Sequence, residues 1–203
     1  MAAAALGRLA PMSVCVVVCG PPCAGKSTLA ARLAARSGWP LLAKDAYKER
    51  VFEHLGARDR DWSRRVSALA WELLLAEAGT LLAAGVGCLL EGNFREPQRR
   101  SLGALRPPPS FVEVRCSARP DVLLARYRAR AASGRRHPGH VDLQALPEIE
   151  AELHAAPGAC TALGGPVLHW DTSEGFAADA LLTALDAALA GAVAAARSAG
   201  AGA

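Results

Sequence analysis

Aromatic residues are scarce in this chain: Phe, Trp and Tyr make up 5% of its 203 residues. That argues against a stacking platform for single-stranded nucleic acid, which needs an aromatic face for each successive base. Charge excess is also small, 23 basic against 19 acidic residues for a net +4. So mild a balance fits small anionic ligands better than a nucleic-acid scaffold. The six cysteines form no C-x-x-C pair, which removes the usual zinc-ribbon and thioredoxin-like spacings. Cys15, Cys19, Cys88 and Cys116 lie in or beside apolar runs, where a thiol packs as a small hydrophobe. No uninterrupted apolar run reaches the roughly 18 residues needed to span a membrane. Residues 1–11 lack the long apolar core of a secretory signal. The expectation is a cytoplasmic protein with no membrane partner.

What the chain has in quantity is small apolar residues. Hydrophobic residues make up 52% of it, alanine prominent among them, as expected for close-packed helices. The length suits one domain, 1–203 with a core of about 13–196, burying roughly 70% of its unfolded surface. Strand-like and helix-like segments alternate. Strands are read at 14–19, 39–43, 88–91, 111–116 and 167–170. Helices are read at 26–37, at 62–84 with Asp61 as cap, from Pro97 to before Arg106, and from Pro120 to Ala132. Two more follow, from Pro147 to about Ala156 and from Phe176 to about Ala196. Residues 107–109 read as a turn and 134–141 as a polar, basic loop. Such alternation predicts a three-layer α/β fold with a parallel sheet between helices.

The most specific signal is the run Gly20, Pro21, Pro22, Cys23, Ala24, Gly25, Lys26, Ser27, Thr28. It matches G-x-x-x-x-G-K-[ST], the phosphate-binding P-loop, and sits between an apolar strand and a helix as that motif requires. Backbone N–H groups and a helix N-terminus then face the phosphates of ATP. Lys26 supplies charge at the β/γ-phosphates and Ser27 a hydroxyl for Mg²⁺.

Ligands of such sheets sit at the carboxyl ends of the strands. That rule selects Asp45 after the second strand, Glu91 at the end of the third, and Asn93 and Arg95 on the loop beyond. Asp45 is placed to accept the proton of a substrate hydroxyl, or to cap a helix over 46–54. Glu91 is read as a Walker-B-like acid that holds Mg²⁺, with substrate contact or a plain charged strand end as the alternatives. Arg126 and Arg130 share a helix face at i,i+4, with Arg135 and Arg136 in the loop that follows. Arginine forks stabilise a transferring phosphoryl group, so Arg126 and Arg130 are read as catalytic and Arg135 as a nucleotide contact. His137 and His140 lack a third ligand at proper spacing and are read as a rigid turn.

On Gly20–Thr28, Asp45, Glu91 and the arginines up to Arg130, the chain resembles small P-loop kinases with an adenylate-kinase-type core. It is similar to chloramphenicol phosphotransferase, zeta toxins and the kinase domain of polynucleotide kinases. The resemblance, over about residues 13–185, implies five parallel strands in the order 2-3-1-4-5, a short lid and Mg-ATP as donor. It also implies that Asp45 is the general base and that lid arginines contact phosphate. The function expected is phosphoryl transfer to a hydroxyl of a small molecule, an antibiotic or nucleoside-like compound, by a monomer or homodimer. The alternatives are a polynucleotide 5′-hydroxyl kinase, a zeta-toxin-like nucleotide-sugar kinase and a regulatory P-loop ATPase.

Overall fold

A computed structural model describes residues 14–106, 108–155 and 162–200, the side chains of 196–200 excepted. The expectations for residues 1–11, for Pro107 and for the end of the helix at Ala156 lie outside the described residues. In chain order the elements are β1 (Val14–Cys19), α1 (Lys26–Ser37), β2 (Leu41–Ala43), α2 (Lys44–Leu55) and α3 (Arg60–Ala83). Then come β3 (Cys88–Glu91), α4 (Glu96–Gly103), β4 (Ser110–Ser117), α5 (Pro120–Ser133), a 3₁₀ turn (Pro138–His140), α6 (Asp142–His154), β5 (Val167–Asp171) and α7 (Asp179–Gly200).

All strand pairings are parallel, in the order β2-β3-β1-β4-β5, the predicted 2-3-1-4-5. The centre of the sheet is β1, whose six residues are all buried. Successive side chains of a strand point to opposite faces, and β1 supplies both cores. Val14, Val16 and Val18 join Leu29 and Leu33 of α1 and Leu185 of α7. Cys15, Val17 and Cys19 join Leu74 and Leu82 of α3 and Leu102 of α4. Both faces of the sheet are therefore covered, as a purely parallel sheet requires.

One element of the core is ionic. Glu113 of β4 is 1% exposed. Arg99 of α4 donates two bonds to it, at 2.7 and 2.8 Å, and Arg115 and the Cys19 thiol add more. Burial alone would raise the Glu113 carboxyl; the bonds from Arg99 and Arg115 overcome it and hold the group at about 2. The pair ties α4, and with it the loop after β3, to the central strands.

Three local expectations need correction. Helix α3 begins at Arg60, and its cap is Asp59, which accepts from the Trp62 N–H at 2.8 Å, not Asp61. Asp45 is not a cap: α2 begins at Lys44, and Asp45 lies in its first turn. Pro147 does not open a helix but sits inside α6. It leaves the carbonyl of Leu143 without its helical donor, and both residues are exposed, so water can serve that carbonyl. The start of α6 is fixed by tertiary bonds to Asp142 from Tyr127 and Arg136. By length and mean hydropathy α3 could cross a membrane; here Val66, Ala70, Leu74, Ala78 and Leu82 form a buried stripe along it.

Candidate active site

The P-loop spans the gap between β1 and α1 on a backbone few residues tolerate. Gly20 has φ +141°, and a Cβ there would lie 2.1 Å from the Cys116 carbonyl oxygen of β4. Cys23 and Gly25 also have positive φ, 64° and 85°. Alternating backbone hands of this kind turn successive N–H groups into one concavity, a nest for an anion. Helix α1 has no side-chain cap and no acid in its first turn, so its N-terminal donors face that concavity. Lys26 is 8% exposed and donates to the Pro21 carbonyl at 2.8 Å. Burial lowers its ammonium, with Glu91 and Asp45 acting the other way. Burial likewise raises the Cys23 thiol.

Two carboxylates face the loop. Glu91 ends β3, 6% exposed. Burial raises its carboxyl, and Lys26 and a hydrogen bond from Ser27 offset part of that. A hydroxyl and a buried carboxylate in contact beside the P-loop form a hard oxygen donor set that fits Mg²⁺. Asp45 lies in the first turn of α2, just past β2, the strand two places from β1 in the sheet. Burial would raise its carboxyl, but Arg136 and Lys44 outweigh it and hold Asp45 well below the usual carboxylate range. Lys44 reaches it at 3.3 Å, and Arg136 forms an ion pair with its Oδ2.

Arg136 enters from the segment between α5 and α6, and its other nitrogen donates to Asp142 at 2.6 Å. The expected lid arginines divide into three kinds. Arg126 donates to the Thr172 hydroxyl at 2.9 Å and the Thr172 carbonyl at 2.6 Å, and lies 4.6 Å from the Phe176 ring centre. Phe176 is the residue a Cβ on Gly25 would strike, so Arg126, Thr172 and Phe176 border the P-loop. Arg130 lines the crevice 3.6 Å from Asp142, and its buried Nε has no hydrogen-bond partner. Arg135 is exposed and lies outside the crevice wall; Arg136 holds the inward position that the sequence reading gave to its neighbour. The 3₁₀ turn decides this. His140 is 3% exposed and bonds Glu49 of α2 at 2.8 Å, while His137 stacks on Phe52 at 5.4 Å. Burial and then Arg136 push His140 down to about 3.

The crevice continues past the P-loop to a volume of about 1130 Å³. Its far end is walled by α2, α3, the loop after β3, and α6. Asn93 lines it, exposed, and Arg95 pairs with Glu152 at 2.5 Å. Lys48, Ser63 and Trp71 also line this end, and none of the three was marked by the sequence reading. Lys48 had a readable signal: at i,i+3 from Asp45 it shares a helix face.

Residues 15–155 match the family described as AAA domain. No significant match to a curated protein was found. A solved structure described as a "putative kinase" from Chloroflexus aurantiacus is 35% identical, with a TM-score of 0.73. The match covers 88% of this chain and 98% of that one. A gluconokinase from Sinorhizobium meliloti is 21% identical over 89% of this chain and 92% of that one, with a TM-score of 0.47. A shikimate kinase from Acinetobacter baumannii, in complex with shikimate, is 18% identical over 74% and 84%, with a TM-score of 0.40.

Proposed function

The chain belongs to the AAA domain family, and on that premise we propose that it is an ATP-dependent kinase of a small-molecule hydroxyl. One observation carries the reading. The Asp45 carboxylate faces Lys26 and Glu91 in one crevice and is joined there to Arg136, so a base candidate, a phosphate site and an arginine meet. A switch ATPase needs the phosphate site alone. It has no use for the further volume walled by α2, α3 and α6, which is a room for a second substrate.

In this mechanism the nucleotide phosphates lie on Gly20–Thr28, with Lys26 at the β/γ oxygens. Arg126 and Phe176 flank the nucleotide end. Ser27 and Glu91 would hold Mg²⁺, which neutralises charge on the phosphate oxygens when bound. The acceptor hydroxyl sits against Asp45. Its oxygen forms the new bond to the γ-phosphorus as the bond to the β–γ bridging oxygen breaks, and its proton passes to an Asp45 oxygen. Phosphoryl transfer has a loose transition state, so the base takes its proton late and need not be strong. In this reading Arg136 leaves Asp45 for the γ-phosphoryl oxygens, which frees the carboxylate as charge develops on the phosphate.

The wall beyond Asp45 carries Lys48, Arg60, Arg64, Glu148 and Glu152. That lining of charged side chains supports a polar acceptor over an apolar one. The test is a screen with γ-labelled ATP across polyols, sugars, nucleosides, hydroxyl-bearing antibiotics and oligonucleotide 5′ ends. Label in an organic product is expected. Label released only as inorganic phosphate, whatever the acceptor, overturns the proposal.

A further inference from the structure

We infer that the acceptor carries an anionic group, a carboxylate or a phosphate ester, and that Lys48 with Ser63 binds it beside the hydroxyl that Asp45 engages. This rests on the kinase reading of the crevice.

Most charges in the crevice are already matched. Lys44 and Arg136 are paired to Asp45. Arg60 and Arg64 share Glu148, at 2.7 and 2.5 Å. Arg95 is paired to Glu152. Among the described crevice cations, Lys26, Lys48 and Arg126 form no ion pair with a carboxylate. The first and third border the P-loop, where ATP phosphate supplies the missing charge. Lys48 lies at the other end, and by the same physics its missing charge belongs to the second substrate.

Its surroundings make the mismatch costly. Lys48 is 4% exposed, and its Nζ donates at 2.8 Å to the hydroxyl of Ser63, which is fully buried. The same ammonium lies 5.4 Å from the centre of the Phe52 ring. Burial, with Lys44 adding to it, lowers the Lys48 amine to about 7; with a hydroxyl and a ring but no carboxylate it is a poor structural ammonium, and an anion beside it would restore the full charge. Two polar hydrogens of the ammonium remain for a ligand. Asp45 and Lys48 stand at i,i+3 on α2, so their side chains emerge about 5–6 Å apart on one face. That spacing suits a hydroxyl and an anionic group a few bonds apart in one small molecule.

The experiment measures phosphoryl transfer from γ-labelled ATP to matched pairs: glycerate with glycerol, threonate with threitol, ribose 5-phosphate with ribose. The first two pairs report a carboxylate and the third a phosphate ester. The charged member of at least one pair should be used about tenfold better in kcat/KM, the scale of one charge-assisted hydrogen bond. In Lys48→Met the advantage should vanish through KM, and in Lys48→Arg it should survive. Methionine keeps the apolar stem and removes a desolvated charge, so its melting temperature should not fall, which separates lost binding from lost fold. Equal use of charged and neutral members, or a preference that persists in Lys48→Met, overturns this inference and leaves the kinase reading intact. Label appearing only as phosphate with every member of these pairs and with every acceptor of the wider screen overturns both.

Discussion

Arg136→Gln separates the base from its clamp. In the structure Arg136 holds Asp45 on one side and Asp142 on the other, and its side chain is 22% exposed. The ordinary Asp value is 3.8, and burial pushes Asp45 upward against Arg136 and Lys44. Removing an opposite charge in contact raises a carboxyl by about 1–3 pH units. With only Lys44 left at 3.3 Å, Asp45 in the variant should rise toward its ordinary value. The sign follows. In the wild type Asp45 stays ionised across the working range, and kcat/KM shows no acid limb from it. In Arg136→Gln an acid limb should appear as pH falls below about 5. Loss of a cation that moves to the transferring phosphoryl should also lower kcat about 10²–10³-fold. The assay is ADP release from pH 4 to 8 with acceptor varied from well below to well above its KM, which gives kcat/KM and kcat, with circular dichroism checking the fold at each pH. A variant with kcat within threefold of wild type and the same flat acid side would refute the reasoning.

Three further outcomes follow from other parts of the molecule. Glu113 is depressed from 4.5 to about 2 in the folded chain, so its stabilisation is present above pH 4.5 and is lost as pH falls toward 2. Arg99→Met should remove up to about 3 kcal/mol of stability at neutral pH and flatten that acid loss, as read by urea unfolding at pH 3, 5 and 7. Gly20→Ala sets a Cβ against the Cys116 carbonyl at positive φ. It should cost about 2–4 kcal/mol and weaken ATP binding measured by calorimetry. Arg135→Ala, altering an exposed side chain outside the crevice, should leave the KM for ATP within twofold of wild type; a tenfold rise would restore Arg135 as a nucleotide contact.

Several features of this site could be read from residues alone, because they are local. A run of valines and cysteines forms a central strand in any arrangement that buries both its faces. The glycines and lysine after it have one common use there. Strand order came from resemblance rather than periodicity, since period-2 patterns do not say which strand lies beside which. Arg135 and Arg136 are sequence neighbours of the same type. Only the 3₁₀ turn, held by His140 on Glu49, decides which of them points inward. Pro147 looks like a helix opener until the bonds from Tyr127 and Arg136 fix the start of α6 five residues earlier. Glu113 had a usable signal, since alternation along β4 puts it on the same face as the buried Phe111. Its partner Arg99, on a short polar helix, had none, because that pairing exists only across the fold. The acceptor end was hidden for the same reason: Lys48, Ser63 and Trp71 come from two helices and meet only when α2 packs on α3.

The central claim is that Asp45 serves transfer and not nucleotide binding. The measurement is the rate of γ-phosphoryl transfer to an acceptor found in the screen, set beside the Kd for Mg-ATP, in wild type and Asp45→Asn. The Kd in Asp45→Asn should stay within about threefold of wild type and the transfer rate fall by about 10²–10⁴-fold, the range for loss of a general base. Transfer by Asp45→Asn within twofold of the wild-type rate would contradict it.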